Sequence, residues 1–262
     1  LGGAGLSFRS SRRKQGQSED MGSMSKEPML SIRGMQRHPT LEGNDVRGHG
    51  TLEALQMMTV NDTGGHKVRL AAKEGRLEDL RALLDKHSGG MTMYDQQGRT
   101  PLFLAAEAGH DECVDELLRR GSDPNLSANR SEGKHSPLTV AAKNGHHACV
   151  KLLLAKGARV DHVSEQLDSS GSALSLAVNA GHIPCVRALL IHKASTETQS
   201  RSGHTPLSLA AARGRLDCLN ALLEHGAQVD ARHKDSGRTP FMLACQMGRE
   251  DCVTALVNAS CN

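Results

Sequence analysis

Thr100-Pro101-Leu102-Phe103-Leu104-Ala105-Ala106-Glu107-Ala108-Gly109 is the stretch on which the fold turns. A hydroxyl ahead of proline starts a helix, because its oxygen accepts an otherwise unpaired backbone N–H and proline has no N–H to lose. Gly109 can then take the left-handed conformation that ends a helix without a Cβ penalty. The same stretch recurs as Ser136-Pro137-Leu138 running to Gly145, Thr205-Pro206-Leu207 to Gly214 and Thr239-Pro240-Phe241 to Gly248. Ser172-Ala173-Leu174 leads to Gly181 without the proline, and a weaker copy, Leu70-Ala71-Ala72-Lys73-Glu74-Gly75, comes first. Successive aligned glycines lie 34, 36, 36, 33 and 34 residues apart (75, 109, 145, 181, 214, 248).

Each copy continues into a second helix marked by a leucine pair: Leu83-Leu84, Leu117-Leu118, Leu153-Leu154, Leu189-Leu190 and Leu222-Leu223. Gly121, Gly157 and Gly226 close that helix, and a polar turn leads on. The recurrence of all these parts in one order resembles the ankyrin repeat, over roughly Gly64 to Asn262. The resemblance implies an all-α repeat fold: two antiparallel helices and a β-hairpin-like loop per repeat, stacked as a solenoid. Stacking is also a physical need, since a repeat of about 33 residues cannot bury its apolar face alone. About six repeats are expected, over 64–95, 96–131, 132–167, 168–200, 201–234 and 235–262.

Several positions depart from the family pattern. The histidine that often follows Thr-Pro-Leu is replaced by Phe103, Thr139, Ser175, Ser208 and Met242. Lys193 stands where a helix-ending glycine is usual, which marks the repeat at about 171–197 as the softest. His66-Lys67-Val68 replaces Thr-Pro-Leu in the first copy, as suits a terminal repeat. The last copy lacks a polar cap and the chain begins with Leu1, so a fragment of a longer protein is expected.

Residues 1–50 are rich in Gly, Ser and Arg without apolar periodicity and read as a disordered tail. Arg9, Arg12, Arg13 and Lys14 read as a solvated charge run, with a nuclear-import or lipid-contact patch as the alternative. Met21-Gly22 offers a myristoylation start, but Lys26 stands where that motif has Ser or Thr. Residues 51–63 repeat the Gly-x-Leu-Glu pattern of Gly75 and suggest a capping helix from about 52 to 59.

Composition narrows the function. Only 2% of residues are aromatic (Phe8, Tyr94, Phe103, Phe241) and the net charge is +3 from 32 basic and 29 acidic residues. Scarce rings and balanced charge argue against nucleic-acid binding, and no apolar run approaches the roughly 20 residues of a membrane helix. Seven cysteines without close-set pairs fit a reduced cytoplasmic or nuclear chain. Cys113, Cys149, Cys185, Cys218 and Cys252 each fall four residues after an aligned glycine. In a stack such positions lie about 10 Å apart, too far for disulfides, which need Cα atoms within about 7 Å. They read as small buried hydrophobes, and Cys245 takes an alanine core site. His110, His146 and His182 follow the aligned glycine and read as structural, bonding a neighbouring carbonyl. No catalytic set, phosphate loop, metal motif or cofactor site emerges.

The resemblance places partner contacts at hairpin tips and on the concave side of the first helices. In this sequence those positions hold Gln96, Gln97, Arg99, Glu107, His135, Lys143, Asn144, Asn179, Arg201, His204, Arg213, Arg238, Gln246 and Met247. Arg99, Lys143, Arg201, Arg213 and Arg238 against Glu107 suggest an acidic or phosphorylated partner segment; solvated surface charge is the competing reading. Two hairpin regions, 125–135 and 161–171, are about three residues longer than the period needs and could extend this surface. The expectation is a monomeric, non-enzymatic scaffold or adaptor for protein binding. The alternative is the recruiting or regulatory arm of a larger ubiquitin ligase, kinase or ion channel. Asn125, two residues after Asp123, stands in a loop context that resembles the one asparaginyl hydroxylases modify in ankyrin repeats.

Overall fold

The computed structural model describes residues 63–86, 92–128, 134–164 and 171–260. The tail, the 52–59 helix and the tips of the two long hairpins lie outside the described residues. Twelve helices alternate among those described. The first helices are α1 (Thr63–Glu74), α3 (Pro101–Ala108), α5 (Pro137–Asn144), α7 (Ala173–Ala180), α9 (Pro206–Arg213) and α11 (Pro240–Gln246). The second helices are α2 (Leu77–Lys86), α4 (Asp111–Arg119), α6 (His147–Ala155), α8 (Ile183–Ile191), α10 (Leu216–Glu224) and α12 (Glu250–Ser260). Each first helix packs on its own second helix and on the next first helix, and second helices stack in the same way. A hairpin precedes each of α3, α5, α7, α9 and α11, and is numbered here by its repeat, second to sixth.

Local chemistry sets the start of these helices. The hydroxyls of Thr100, Ser136, Ser172, Thr205 and Thr239 accept from the N–H groups of Phe103, Thr139, Ser175, Ser208 and Met242. Ser172 caps without the proline, and α7 reaches the same eight residues as α3, α5 and α9. The first repeat differs: α1 begins at Thr63, four residues ahead of Lys67, which holds the proline position. His66 offers no hydroxyl like the one by which Ser172 caps α7, and no proline follows it, so the helix extends toward its N-terminus.

The aligned glycines do two things at once. Gly109, Gly145, Gly181 and Gly214 end their helices with φ of 83°, 82°, 84° and 68°. The space their missing Cβ leaves is taken by a side chain from the next repeat: a Cβ on Gly145 would stand 2.7 Å from the His182 ring, and one on Gly214 2.8 Å from Arg249. The His110 Nε2–H donates to the Lys73 carbonyl and the His146 Nε2–H to the Glu107 carbonyl, both at 3.0 Å. This is the repeat-level structural role expected for these histidines.

Further brackets cross from hairpin base to hairpin base. Asn125 Oδ1 accepts from Arg159 N–H (2.7 Å), Asp161 Oδ1 from Ser195 N–H (2.9 Å) and Glu197 Oε1 from Gln228 N–H (2.9 Å). Asn125 also donates to the Gly157 carbonyl, so the residue noted for its hydroxylation-like context joins two repeats. In the fourth hairpin Val163–Ser164 (β1) and Gly171–Ser172 (β2) pair antiparallel, Val163 opposite Ser172. The second, fifth and sixth hairpins close through Asp95 N–H to Arg99, Ser200 N–H to His204 and His233 N–H to Arg238 carbonyls.

The core is largely aliphatic around the fully buried Phe103, with Leu80 fully buried on α2 and Leu117, Leu153, Leu189, Leu222 and Leu256 fully buried at one register of the second helices. Cys113, Cys149, Cys185, Cys218 and Cys252 are buried beside them as free thiols. Cys245 is exposed, which corrects its assignment to the core. Its counterparts Ala106, Ala142 and Ala211 are covered by the following first helix, and among the described residues none follows α11.

Lys193, like the glycines, has positive φ (60°), and it does so with a side chain. Left-handed backbone costs a non-glycine residue about 1–2 kcal/mol, while glycine at such a site returns about 0.4–1 kcal/mol of that as extra freedom in the unfolded chain. Lys193→Gly should therefore raise the melting temperature slightly. Gly145→Ala should lower it by several degrees, since it adds both left-handed strain and the clash with His182; thermal melts by circular dichroism check both.

Candidate partner-binding face

The structure sorts the expected contact residues into three groups. The first is exposed: Gln96, Asn144, Arg201, Arg213, Arg238, Gln246 and Met247. The second is half-buried, comprising Gln97, Arg99, Glu107, Lys143, Asn179 and His204. His135 stands apart at 2% exposure and is no surface residue. Its ring faces the start of α5, where His135 Nδ1 lies 3.5 Å from Thr139 Oγ1. Thr139 in turn donates to the Ser136 carbonyl at 2.8 Å. His204 repeats this arrangement on Ser208 at 3.3 Å, and Ser208 donates to the Thr205 carbonyl at 2.9 Å. Residues preceding Thr-Pro-Leu thus make contacts with the side chain at the position where the family often has histidine.

Several of the other positions are committed to holding the stack. Arg99 Nε donates to Asp95 Oδ2 at 2.7 Å, its Nη1 lies 3.7 Å from Glu107 Oε2, and its Nη2 donates to Gln97 Oε1 at 3.2 Å. Asp95 Oδ1 also accepts the backbone N–H groups of Gln97 and Arg99. Arg99 is therefore the clasp of the second hairpin. Asn144 Nδ2 donates to the Glu107 carbonyl at 2.9 Å, beside the bond from His146. Arg238 donates to Gln246 Oε1 at 2.6 Å, joining the sixth hairpin to the end of α11.

Charge is distributed unevenly along the stack. Glu74, Glu78, Asp79, Asp85, Asp95, Asp115 and Glu116 are ion-paired with arginines between Arg76 and Arg120. Glu116 is central: it accepts from Arg120 at 2.7 Å and from Arg81 at 3.3 Å, and Arg120 reaches Asp85 at 2.6 Å. This network ties α2 to α4 and was not anticipated from the sequence, where only the i, i+4 spacing of Glu116 and Arg120 could have signalled it. Among the described residues no carboxylate lies within ion-pair distance of Lys143, Arg213 or Arg238.

The buried thiols carry no sign of nucleophilic tuning. Burial pushes Cys149 up to about 12 and Cys185 and Cys218 up to about 11, where the reactive thiolate is scarce at neutral pH. Among the described residues no three His, Cys, Asp or Glu side chains gather as a metal set.

Models of ankyrin repeats (three copies) match residues 68–164, 121–200 and 174–262, and the chain belongs to this family. An ankyrin repeat domain from Acinetobacter baumannii superposes with a TM-score of 0.65 at 24% identity, over 74% of this chain and 97% of that one. Human oxysterol-binding protein-related protein 1 is 43% identical over 65 residues, 24% of this chain and 7% of its own. Human ankyrin repeat domain-containing protein 29 is 43% identical over 56 residues, covering 21% and 19%. The probable E3 ubiquitin-protein ligase XBOS31 of Oryza sativa subsp. japonica is 42% identical over 55 residues, covering 21% and 12%. The chain thus spans less than a fifth of the length of the human and rice relatives. Ankyrin repeats are generally protein–protein interaction modules.

The Arg120 hydrogen bond, seconded by Arg81, holds the Glu116 carboxyl below the usual carboxylate range. A carboxylate with a depressed folded-state pKa stabilises above its unfolded value, about 4.3, and loses that contribution as pH falls through the folded value. Glu116→Gln should therefore melt lower than the parent chain at neutral pH, and the gap should narrow steadily below about pH 4. Melting curves across pH measure it. Arg99→Glu, which sets three carboxylates together, should likewise lower the melting temperature rather than act as a clean surface change.

Proposed function

We propose that this chain is a protein-binding adaptor that holds an acidic or phosphorylated segment of its partner along the hairpin tips and first helices of the third to sixth repeats. The observation that carries this reading is the charge distribution. Arg76, Arg81, Arg99, Arg119 and Arg120 of the first two repeats are neutralised internally, whereas Lys143, Arg213 and Arg238 present cations without a carboxylate partner among the described residues. Desolvated arginine–carboxylate or arginine–phosphate contacts are strong and directional. The stacked helices hold these groups in place beforehand, so little conformational freedom is lost on binding. Met247 and Gln246 at the end of α11, with Asn179 on α7, add neutral contact area to the same strip. Binding of this kind involves no chemistry on the partner, and a chain with buried protonated thiols suits the cytoplasm or nucleus.

A second reading is that the chain serves as the recruiting or regulatory arm of a larger ubiquitin ligase, kinase or ion channel. The local similarity to the rice ubiquitin ligase supports it. A ubiquitin-transfer, kinase or membrane-spanning module in the full-length transcript would carry that reading.

The test is affinity capture from native lysate with residues 44–262, beside the same bait carrying Arg213→Glu and Arg238→Glu. Neither arginine is placed in an ion pair within the fold, but Arg238→Glu gives up the bond to Gln246, so melting curves of both baits accompany the capture and the comparison is read with the two baits folded at the capture temperature. Partners recovered by the parent bait should be lost from the reversed one, and phosphatase treatment of the lysate should remove those held through phosphate. An identical catch from both would remove these positions from the binding face.

A further inference from the structure

We infer that the contact between the fifth and sixth hairpins is an acid-sensitive junction, closed while His204 and His233 are neutral and loosened when both rings are protonated. The two rings meet edge to face, with centroids 4.3 Å apart and planes inclined by 71°. They come from adjacent repeats, and the backbone joins them weakly: the Lys234 N–H reaches the Gly203 carbonyl at 3.4 Å.

The hydrogen bonds set the tautomer of each neutral ring. The Ser208 hydroxyl proton is committed to the Thr205 carbonyl at 2.9 Å, so at 3.3 Å His204 Nδ1 is the donor to Ser208 Oγ. His233 Nδ1 accepts the backbone N–H groups of Asp235 (3.3 Å) and Ser236 (3.2 Å), so it carries no proton. A proton on His233 Nδ1 removes the acceptor around which the tip of the sixth hairpin turns. A proton on His204 Nε2 then places a second cation against the first. Arg213 on α9 bears on His204 with the same sign, and in the sixth hairpin His233 is followed directly by Lys234 and by the carboxylate of Asp235, with Arg232 just before it. Burial, followed by His233 and Arg213, already holds His204 below the ordinary histidine value.

The sign follows from linkage. A histidine with a lowered folded-state pKa favours the unfolded form as it takes up a proton, so its contribution is full above about pH 6.5 and declines as pH falls. The same two hairpins carry Arg201 and Arg238, so acidification would displace positions assigned above to partner contact. The junction itself rests on the ring geometry and stands or falls independently of that assignment.

The experiment is amide hydrogen exchange by NMR on the whole 15N-labelled chain, following His233, Lys234 and Gly237 at about pH 7.5 and about pH 5.5 with intrinsic rates divided out. The expected result is an additional loss of protection of about fivefold at the lower pH, the factor for two unit charges some 4 Å apart in water. His233→Asn keeps an acceptor for the turn in its side-chain oxygen and has no ring to charge, so it should hold protection at both pH values. His204→Gln, which removes the other charge, should reduce the loss while leaving the sixth turn intact. Equal protection in the parent chain at both pH values overturns the proposal, as does an undiminished loss in both variants.

Discussion

The stack depends on an atom that is missing. At Gly75, Gly109, Gly145, Gly181 and Gly214 the backbone turns left-handed to end a first helix, and the vacancy beside the Cα receives a histidine or arginine of the following repeat. Where that residue is His110 or His146, the ring also bonds the carbonyl two residues before the glycine. One position therefore terminates a helix and sets the approach of the next repeat. Arg215 and Arg249 fill the later vacancies, where the Glu197 to Gln228 bracket and the Lys234 N–H to Gly203 carbonyl contact also cross between repeats.

This coupling matters because no unit could stand alone. First helices of seven or eight residues in the second to sixth repeats are well below the length at which an isolated helix persists in water. Their order comes from apolar contact across repeats and from brackets such as Asn125 to Arg159. The ion-pair network around Glu116 adds a polar version of the same linkage at one end, where α2 and α4 meet. Among the described residues Lys143, Arg213 and Arg238 lie in no such network, and that contrast is the basis of the binding proposal.

Much of the fold was legible in the sequence because its signals are local. A hydroxyl before proline, a glycine eight or nine residues on and a leucine pair each report backbone geometry within one turn of helix. The histidines after the glycines could be assigned a structural role from recurrence alone. The candidate face was less legible, since its side chains find partners that depend on hairpin folding and on the neighbouring repeat. Asn144 reaches a carbonyl 37 residues away, and His135 turns inward onto Thr139. Arg99 looked like a surface cation, yet Asp95 and Glu107 claim it once the hairpin closes. Cys245 misled for a related reason: its alanine-like sequence position is buried only where another first helix lies over it.

The buried thiols have a use unconnected with chemistry. Cys113, Cys149, Cys185, Cys218 and Cys252 place one sulfur in each repeat from the second to the sixth, at one register and under one kind of cover. A thiol reagent can reach each only when its own repeat opens, so labelling rates read along the chain form a ruler of local fraying. Repeat proteins behave as linear arrays of coupled units, and here the array carries a reporter in nearly every unit.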